Sequence, residues 1–141
     1  MMTKFNFYVI SALLLNSAVS AEIKVVDPWV RASTGPNAAL FMKIENTNSQ
    51  PAKLIKGEIS GCARTELHTH AHEEGQMKMK QVDFIEVPSN GQKVLKPGED
   101  HIMLMKLHQP LQEGDKVNVT LLFENEEPMD HIVPVKATAG D

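Results

Sequence analysis

Hydrophobic and polar residues alternate along short segments of this chain, and turn-forming residues separate the segments. Val117, Val119 and Leu121 occupy every second position, which is the period of a β-strand with one buried face. After the first 21 residues, no window of eleven or more shows the apolar period of an amphipathic helix. The pattern predicts strands at residues 22–31, 38–45, 52–59, 64–72, 76–87, 101–108, 116–123 and 130–136.

Composition is that of a folded domain rather than a disordered chain. The 141 residues are 42% hydrophobic and 23% charged, and their formal net charge is −4. This balance disfavours nucleic acid or an anionic membrane as the main partner. Short antiparallel strands at this spacing predict an all-β, single-domain Greek-key β-sandwich or small barrel. We expect this domain to span residues 22–136, followed by a flexible tail at 137–141.

The first 21 residues have the composition of a secretory signal peptide. Lys4 is the only charged residue among them, an apolar segment covers residues 5–15, and small residues end the stretch at Ala21. A membrane anchor would need roughly 20 apolar residues in a row, and an uncleaved anchor is the alternative. We therefore expect cleavage after Ala21, a monomer in the periplasm, and no stable membrane insertion of the mature chain.

Histidine and methionine are concentrated in two segments. Four of the six histidines and four of the eight methionines lie at residues 68–79 and 101–105: His68, His70, His72, His101, Met77, Met79, Met103 and Met105. They form three rows, at residues 68–72, 77–79 and 101–105. Within each row the members are two residues apart, so in a strand they share one face. The three resulting rows converge on one site if their strands are neighbours in the sheet.

These residue types are ligands of soft metal ions. Thioether sulfur is soft and imidazole nitrogen is intermediate, so a mixed set favours Cu(I) over zinc and disfavours magnesium and calcium. Strand residues two apart are separated by about 6.6 Å. His101 and Met103 can therefore bind one ion from a single strand while Ile102 points to the core. Thioethers do not ionise near neutral pH, so such a site needs no thiolate in an oxidising compartment.

The spacing of four of these residues resembles a known motif. Ten residues separate His68 from Met79, twenty-one separate Met79 from His101, and one separates His101 from Met103. This spacing is similar to that of the periplasmic copper chaperones called PCuAC. The similarity covers most of the mature chain, including the segments 66–69, 77–79, 85–88, 95–98 and 101–105.

The resemblance implies a cupredoxin-like β-sandwich that carries Cu(I) in the bacterial periplasm and is not an enzyme. By this match His68, Met79, His101 and Met103 are the copper ligands. The resemblance also implies delivery of the ion to a copper-accepting protein, such as a cytochrome c oxidase subunit or another copper chaperone.

This chain departs from the family pattern next to the first histidine. Many members have methionine two residues later, where this chain has His70, with His72 beyond it. These extra imidazoles leave Cu(II) or zinc binding open, and Met77 is another auxiliary candidate. Alternatively, the two histidines form the solvated face of an edge strand.

Simpler roles are expected for the other residues of these types. Met42 and Met105 are expected to fill gaps in packing, and the lone His108 and His131 to be solvated. Cys62 is the only cysteine and precedes the histidines, which disfavours a blue-copper site and rules out an internal disulfide. We expect it to be a half-buried small residue.

A cupin-like non-haem metal enzyme is the alternative from another functional class. His68, His70, Glu74 and His101 would be the ligands of its iron or manganese. The match is imperfect, since Met105 stands where the second cupin motif has asparagine. A periplasmic zinc or copper storage protein is a further alternative.

Overall fold

The computed structural model describes residues 21–138, and within that range the chain forms strands and turns without a helix. The strands are β1 (Ile23–Arg31), β2 (Ala38–Asn46), β3 (Ala52–Ile59), β4 (Cys62–Glu73), β5 (Gln76–Val82), β6 (Ile85–Val87), β7 (Gly91–Leu95), β8 (His101–Leu107), β9 (Lys116–Phe123) and β10 (Met129–Lys136). No helix in the described range is long and apolar enough to cross a membrane. The predicted signal peptide and most of the predicted tail lie outside the described residues.

The strands form two hydrogen-bonded sheets. The first sheet has the order β5-β4-β8-β2-β1, with β7 also paired to β2, and the second has the order β10-β9-β3-β6. A short parallel pairing of β1 with β10, at Val30 and Val135, joins them. Strand β1 changes register at Asp27, whose φ is 49°. The predicted all-β, single-domain sandwich is confirmed.

Most strand predictions are correct, but one predicted strand is wrong and one observed strand was not predicted. Strands β3 and β9 have the bounds that the alternation predicts. The segment 76–87 is not one strand, because β5 pairs with β4 in the first sheet and β6 pairs with β3 in the second. Strand β7 was not predicted, since it is five residues long and follows a turn in which Asn90 has φ 48°.

The core lies between the two sheets and consists of the inward-facing apolar residues. Leu40 and Ile102 from the first sheet and Leu121 from the second are fully buried. The packing role predicted for Met42 is confirmed, because its side chain belongs to this core. Gly57 on β3 faces Ile102, and a Cβ at Gly57 would lie 2.9 Å from Ile102 Cδ1. The two sheets therefore approach closely at this point.

Candidate metal centre

Alternation along β4 and β8 determines which side chains point into the core and which lie on the outer face of the first sheet. Leu67 and Ile102 pair with each other and are buried between the sheets. The adjacent pair, His68 and His101, therefore lies on the outer face of the first sheet. Met103 follows on the same face of β8 and is half-buried. The expected inward position of Ile102 is confirmed.

Strand β5 brings the remaining candidates to the same face. His70 pairs with Met79, and His72 pairs with Met77. The three histidine and methionine rows thus lie on the neighbouring strands β5, β4 and β8, and Met79 is diagonal to His68. Met77 and Met79 are 56% and 49% exposed. Strand β4 pairs with β8 only as far as His68, so at His70 and His72 it is paired with β5 alone.

An aromatic cluster surrounds His101 on this face. The His68 and His70 ring centroids lie 5.4 Å and 6.0 Å from that of His101. On the other side, Phe41 lies 6.1 Å from His101 and packs against Trp29 at 4.9 Å. His101 is only 4% exposed. The cluster therefore holds the His101 ring on the floor of the candidate site.

Hydrogen bonding leaves one nitrogen of His101 available. Its Nδ1 lies 2.8 Å from the Glu99 carbonyl oxygen, which can only accept, so Nδ1–H donates and Nε2 carries the lone pair. Nε2 is buried and has no hydrogen-bond partner. Burial lowers the pKa of His101, which favours the neutral form of the ring that a metal ion requires.

Glu66 selects the tautomer of His68, and this tautomer is the opposite of that of His101. Glu66 Oε1 lies 2.9 Å from His68 Nε2. A carboxylate only accepts, so in the neutral ring Nε2–H donates and the lone pair is on Nδ1. Nδ1 is buried and unpartnered. Arg64 donates to the other oxygen, Oε2. The hydrogen bond with His68, followed by that with Arg64, lowers the pKa of Glu66.

Buried polar atoms are nearly always hydrogen-bonded in native proteins, and this cluster departs from that rule three times. The atoms concerned are His68 Nδ1, His70 Nδ1 and His101 Nε2. Within residues 21–138, however, no three His, Cys, Asp or Glu residues lie close enough to hold a metal ion. A centre on this face therefore needs the thioethers beside the imidazoles, or a rotation of the rings.

The cupin-like arrangement is not present. Glu74 is exposed and forms the turn that joins β4 to β5, with φ 51°. The pair His72 and Met77 lies between this turn and His70. Glu74 therefore lies at the tip of the hairpin rather than beside His68 and His101.

Cys62 lies at the other end of β4. It pairs with Leu107, six residues along the ladder from the pair of His68 and His101. Its thiol is half-buried, as expected, and burial raises its pKa. Cys62 is therefore outside the candidate centre, and the blue-copper alternative has no support in the geometry.

The remaining predictions on single residues have mixed outcomes. His108 is exposed, as expected, but His131 on β10 is half-buried and its Nε2 has no hydrogen-bond partner. Met105 is half-buried opposite Arg64, on the outer face of β8 rather than in the core. Sequence reasoning assigned no role to Glu66. Its position two residues before His68, hence on the same face, was the signal that could have identified it.

Comparison with sequence families gives one match over most of the chain. The family described as "Putative lipoprotein LpqE-like" matches residues 23–135. "Putative lipoprotein Lxx21020" of Leifsonia xyli subsp. xyli is 32% identical over 119 residues, which are 84% of this chain and 72% of that protein.

Solved structures share the fold. The copper-bound PCuAC domain from PmoF2 superposes with a TM-score of 0.68 at 22% identity, over 84% of this chain and 99% of that domain. The Cu(I) form of DR1885 from Deinococcus radiodurans superposes with a TM-score of 0.68 at 27% identity, over 89% of this chain and 86% of that protein. The resemblance to PCuAC domains is confirmed. Both structures contain bound copper by their descriptions, which favours the copper-binding prediction over the cupin-like alternative.

Proposed function

Since the chain belongs to the LpqE-like family, whose model matches residues 23–135, we propose that it is a copper chaperone that carries one Cu(I) as cargo. His68, Met79, His101 and Met103 hold the ion. Support comes from the fold, which is shared with a protein solved in its Cu(I) form.

One observation carries this proposal. Two imidazoles and two thioethers from three neighbouring strands share the outer face of the first sheet. His68 and His101 pair directly, and Met79 and Met103 are the diagonal neighbours of His68 on either side. Diagonal residues across neighbouring strands are about 7–8 Å apart, within reach of long side chains.

The donor set has the chemistry for Cu(I) in an oxidising compartment. Both imidazoles present a buried lone pair with no protein partner, at His68 Nδ1 and His101 Nε2. The two thioethers are neutral and soft, and such a set suits a monovalent soft ion better than a divalent hard one. The buried His101 anchors the ion, whereas Met79 is half exposed. A partner can therefore displace Met79 first and remove the ion by ligand exchange.

The cellular role is proposed on chemical grounds as well. We place the protein in the periplasm, because its family is described as "Putative lipoprotein LpqE-like" and its first 21 residues have signal-peptide character. The recipient is a copper-accepting protein, such as a cytochrome c oxidase subunit or another copper chaperone. Such a partner removes Cu(I) only if it offers a set of soft ligands at least as strong as the one described.

Anaerobic Cu(I) titration against a competing chelator tests the proposal. We expect one tightly bound ion per chain, and Met79→Leu and Met103→Leu should each lower the affinity at least tenfold, about 1.4 kcal/mol. Both changes replace a thioether by a side chain of similar volume, so the fold is retained.

Met105→Leu is the matched control, since Met105 shares the outer face of β8 but pairs with Arg64 away from the histidines. Its affinity should equal that of the unmodified chain. Unchanged affinity in both Met79→Leu and Met103→Leu would overturn the proposed ligand set. Several ions per chain would favour the storage alternative.

A further inference from the structure

We propose that the free edge of β5 is the docking surface for the copper-accepting partner, which binds there through an extended acidic segment. The segment adds one strand to the first sheet, next to Met79. The identity of the partner rests on the proposed function, and the inference adds where and how that partner is recognised. Strand addition of this kind obtains affinity from main-chain hydrogen bonds and specificity from alternate side chains.

Strand β5 is the edge of the first sheet and has no second neighbour within residues 21–138. The order of that sheet begins with β5, which pairs with β4 alone. The residues from Gln76 to Gln81 are all exposed, so the second sheet does not cover the inner face of this strand. Such an edge presents a row of unpaired backbone groups, which is a template for another strand.

The hairpin turn determines which backbone groups of β5 point outwards. Glu74 and Gly75 form a two-residue turn, and the two residues that flank such a turn exchange hydrogen bonds with each other. Hydrogen-bonded and non-hydrogen-bonded pairs then alternate along β4 and β5. The N–H and C=O groups that point away from β4 are therefore those of Met77, Met79 and Gln81.

Lysines on the inner face of β5 indicate the chemistry of the partner. Lys78 and Lys80 alternate with the methionines. Lys80 Nζ lies 3.3 Å from Glu73 Oε2, whereas Lys78 forms no ion pair with any described residue. An antiparallel pairing with a second copy that uses most of β5 places a lysine opposite a lysine, and directly opposed like charges destabilise a sheet. A second copy is therefore disfavoured, and a strand with an acidic residue opposite Lys78 is favoured.

Strand addition at this edge brings side chains of the partner to the proposed copper ligands. The residue opposite Met79 in an added strand lies about 5.5 Å away between Cα atoms, with its side chain on the same outer face. A methionine at that position reaches the ion from the exposed side of the site. Met79 is 49% exposed, whereas His101 is buried. One copper–sulfur bond then forms as that of Met79 breaks, and the oxidation state of the ion does not change.

NMR titration of the metal-free chain with a synthetic peptide tests this inference. The peptide has seven residues, as β5 has, its ends are blocked, and glutamate alternates with methionine. We expect chemical-shift changes in β5 and slower exchange of the amide protons of Met77, Met79 and Gln81. A peptide with lysine in place of glutamate should not bind. Equal binding of the two peptides, or unchanged β5 amides, would overturn the proposal. A dimer of the metal-free chain through β5 would overturn it too, because a second copy would then occupy the edge.

Two variants test the backbone and the charge separately. Gln81→Pro should weaken binding of the acidic peptide at least about tenfold, because proline removes an outward N–H and leaves the β4–β5 ladder intact. Gln81→Ala is its control. Lys78→Glu should weaken binding at least about threefold, whereas Lys116→Glu, the same charge change at an exposed position on β9, should not. Unchanged binding in both Gln81→Pro and Lys78→Glu would contradict the docking surface.

Anaerobic Cu(I) titration of the same samples separates this inference from the proposed function. Gln81→Pro and Lys78→Glu retain both imidazoles and both thioethers, so their Cu(I) affinity should equal that of the unmodified chain. If the unmodified chain fails to bind Cu(I), the proposed function is wrong whatever the peptide does. If it binds Cu(I) normally but does not bind the acidic peptide, only the docking inference is overturned.

Discussion

Glu66 decides which nitrogen of a neighbouring imidazole is free. Its carboxylate accepts from His68 Nε2 and leaves Nδ1 for a ligand, while Arg64 holds the carboxylate in place. Carboxylates that orient a metal-bound histidine in this way typically contribute a factor of about 10–100 to metal affinity. We therefore treat Glu66 as a positioning residue rather than as a ligand.

Glu66→Gln should lower the Cu(I) affinity by about 10–100-fold. A glutamine amide can donate as well as accept, so it no longer specifies one tautomer of His68. Nitrogen NMR of the His68 ring in the metal-free protein should then report a mixture of the two neutral tautomers. Glu58→Gln is the control, because Glu58 pairs with Lys56 at an exposed position on β3. A single tautomer and full affinity in Glu66→Gln would contradict the assigned role.

Burial of His101 predicts a pH dependence of folding in the metal-free protein. Its folded pKa is lowered from 6.5 by burial, so below that value the unfolded chain binds more protons than the native one. The free energy of unfolding should therefore fall as the pH decreases from 7.5 to 5. Glu66 contributes only at lower pH, because its folded pKa lies below 4.5.

His101→Asn should flatten this dependence between pH 7.5 and 5. An asparagine amide can still donate to the Glu99 carbonyl oxygen but does not titrate. Urea unfolding at several pH values measures the slope for both proteins. Equal slopes would show that another group, and not His101, is responsible.

At residue level, much of the site could be predicted from the two-residue period of side chains in a β-strand. The shared face of His68 and His70, and the inward position of Ile102, were predictable from the period of a strand. The cluster of Trp29 and Phe41 beside His101 was not predictable, because it depends on β2 lying next to β8, which no local pattern specifies. The tautomers of His68 and His101 were not predictable either, since each depends on the position of one hydrogen-bonded oxygen atom.

At the level of elements, the β4–β5 hairpin sets the register of the candidate ligands. Glu74 and Gly75 form its two-residue turn with φ 51° and 78°, as in the type I′ turns that suit the twist of a hairpin. The turn fixes the pair Glu73 and Gln76, and therefore also the pair His70 and Met79.

Gly75→Ala should destabilise the protein by about 1 kcal/mol, because an L side chain is strained in the left-handed region. Urea unfolding measures the loss, and hydrogen exchange should show it concentrated in β4 and β5. Gly35→Ala is the control, since the φ of Gly35 is not positive and a Cβ there meets only Ser33 Oγ at 4.0 Å. Equal stabilities of the two variants would refute the strain.

Element prediction failed where the chain changes sheets, since β5 belongs to the first sheet and β6 to the second. The apolar residues change from odd positions at Met79 to even positions at Val82, and this change of phase was the available signal that one strand ends there. Alternation records which face of a strand is apolar and carries no information on the partner strand. For the same reason, the sequence could not predict that β5, β4 and β8 are adjacent in the sheet. It predicted only that the ligand rows converge if these strands are adjacent.

At the scale of the whole molecule, the two sheets pack closely beneath β8, the strand that carries His101 and Met103. Gly57 on β3 leaves room for Ile102, whose Cδ1 would lie 2.9 Å from an added Cβ. Thr65 on β4 also donates to the Gly57 carbonyl oxygen at 2.5 Å. The second sheet thus contacts the first directly beneath the candidate site.

Gly57→Ala should reduce the free energy of unfolding by about 1–3 kcal/mol, which is the usual cost of overpacking a core. Adding Ile102→Val removes the atom that an alanine Cβ would meet, so the double variant should recover part of that loss. Chemical unfolding of the two single variants and the double variant gives the coupling energy. Strictly additive effects would show that the contact between Gly57 and Ile102 is not the cause.

Strand β8 uses alternate residues for two purposes, with Ile102 and Leu104 in the core and His101 and Met103 outside it. A displacement of β8 by one residue would exchange the two sets, placing imidazole and thioether in the apolar interior and branched carbon chains in water. A misaligned chain would then lack the copper ligands as well as part of its core. Bound Cu(I) would therefore select for correctly aligned chains, and during refolding it should enrich them at the expense of misaligned ones.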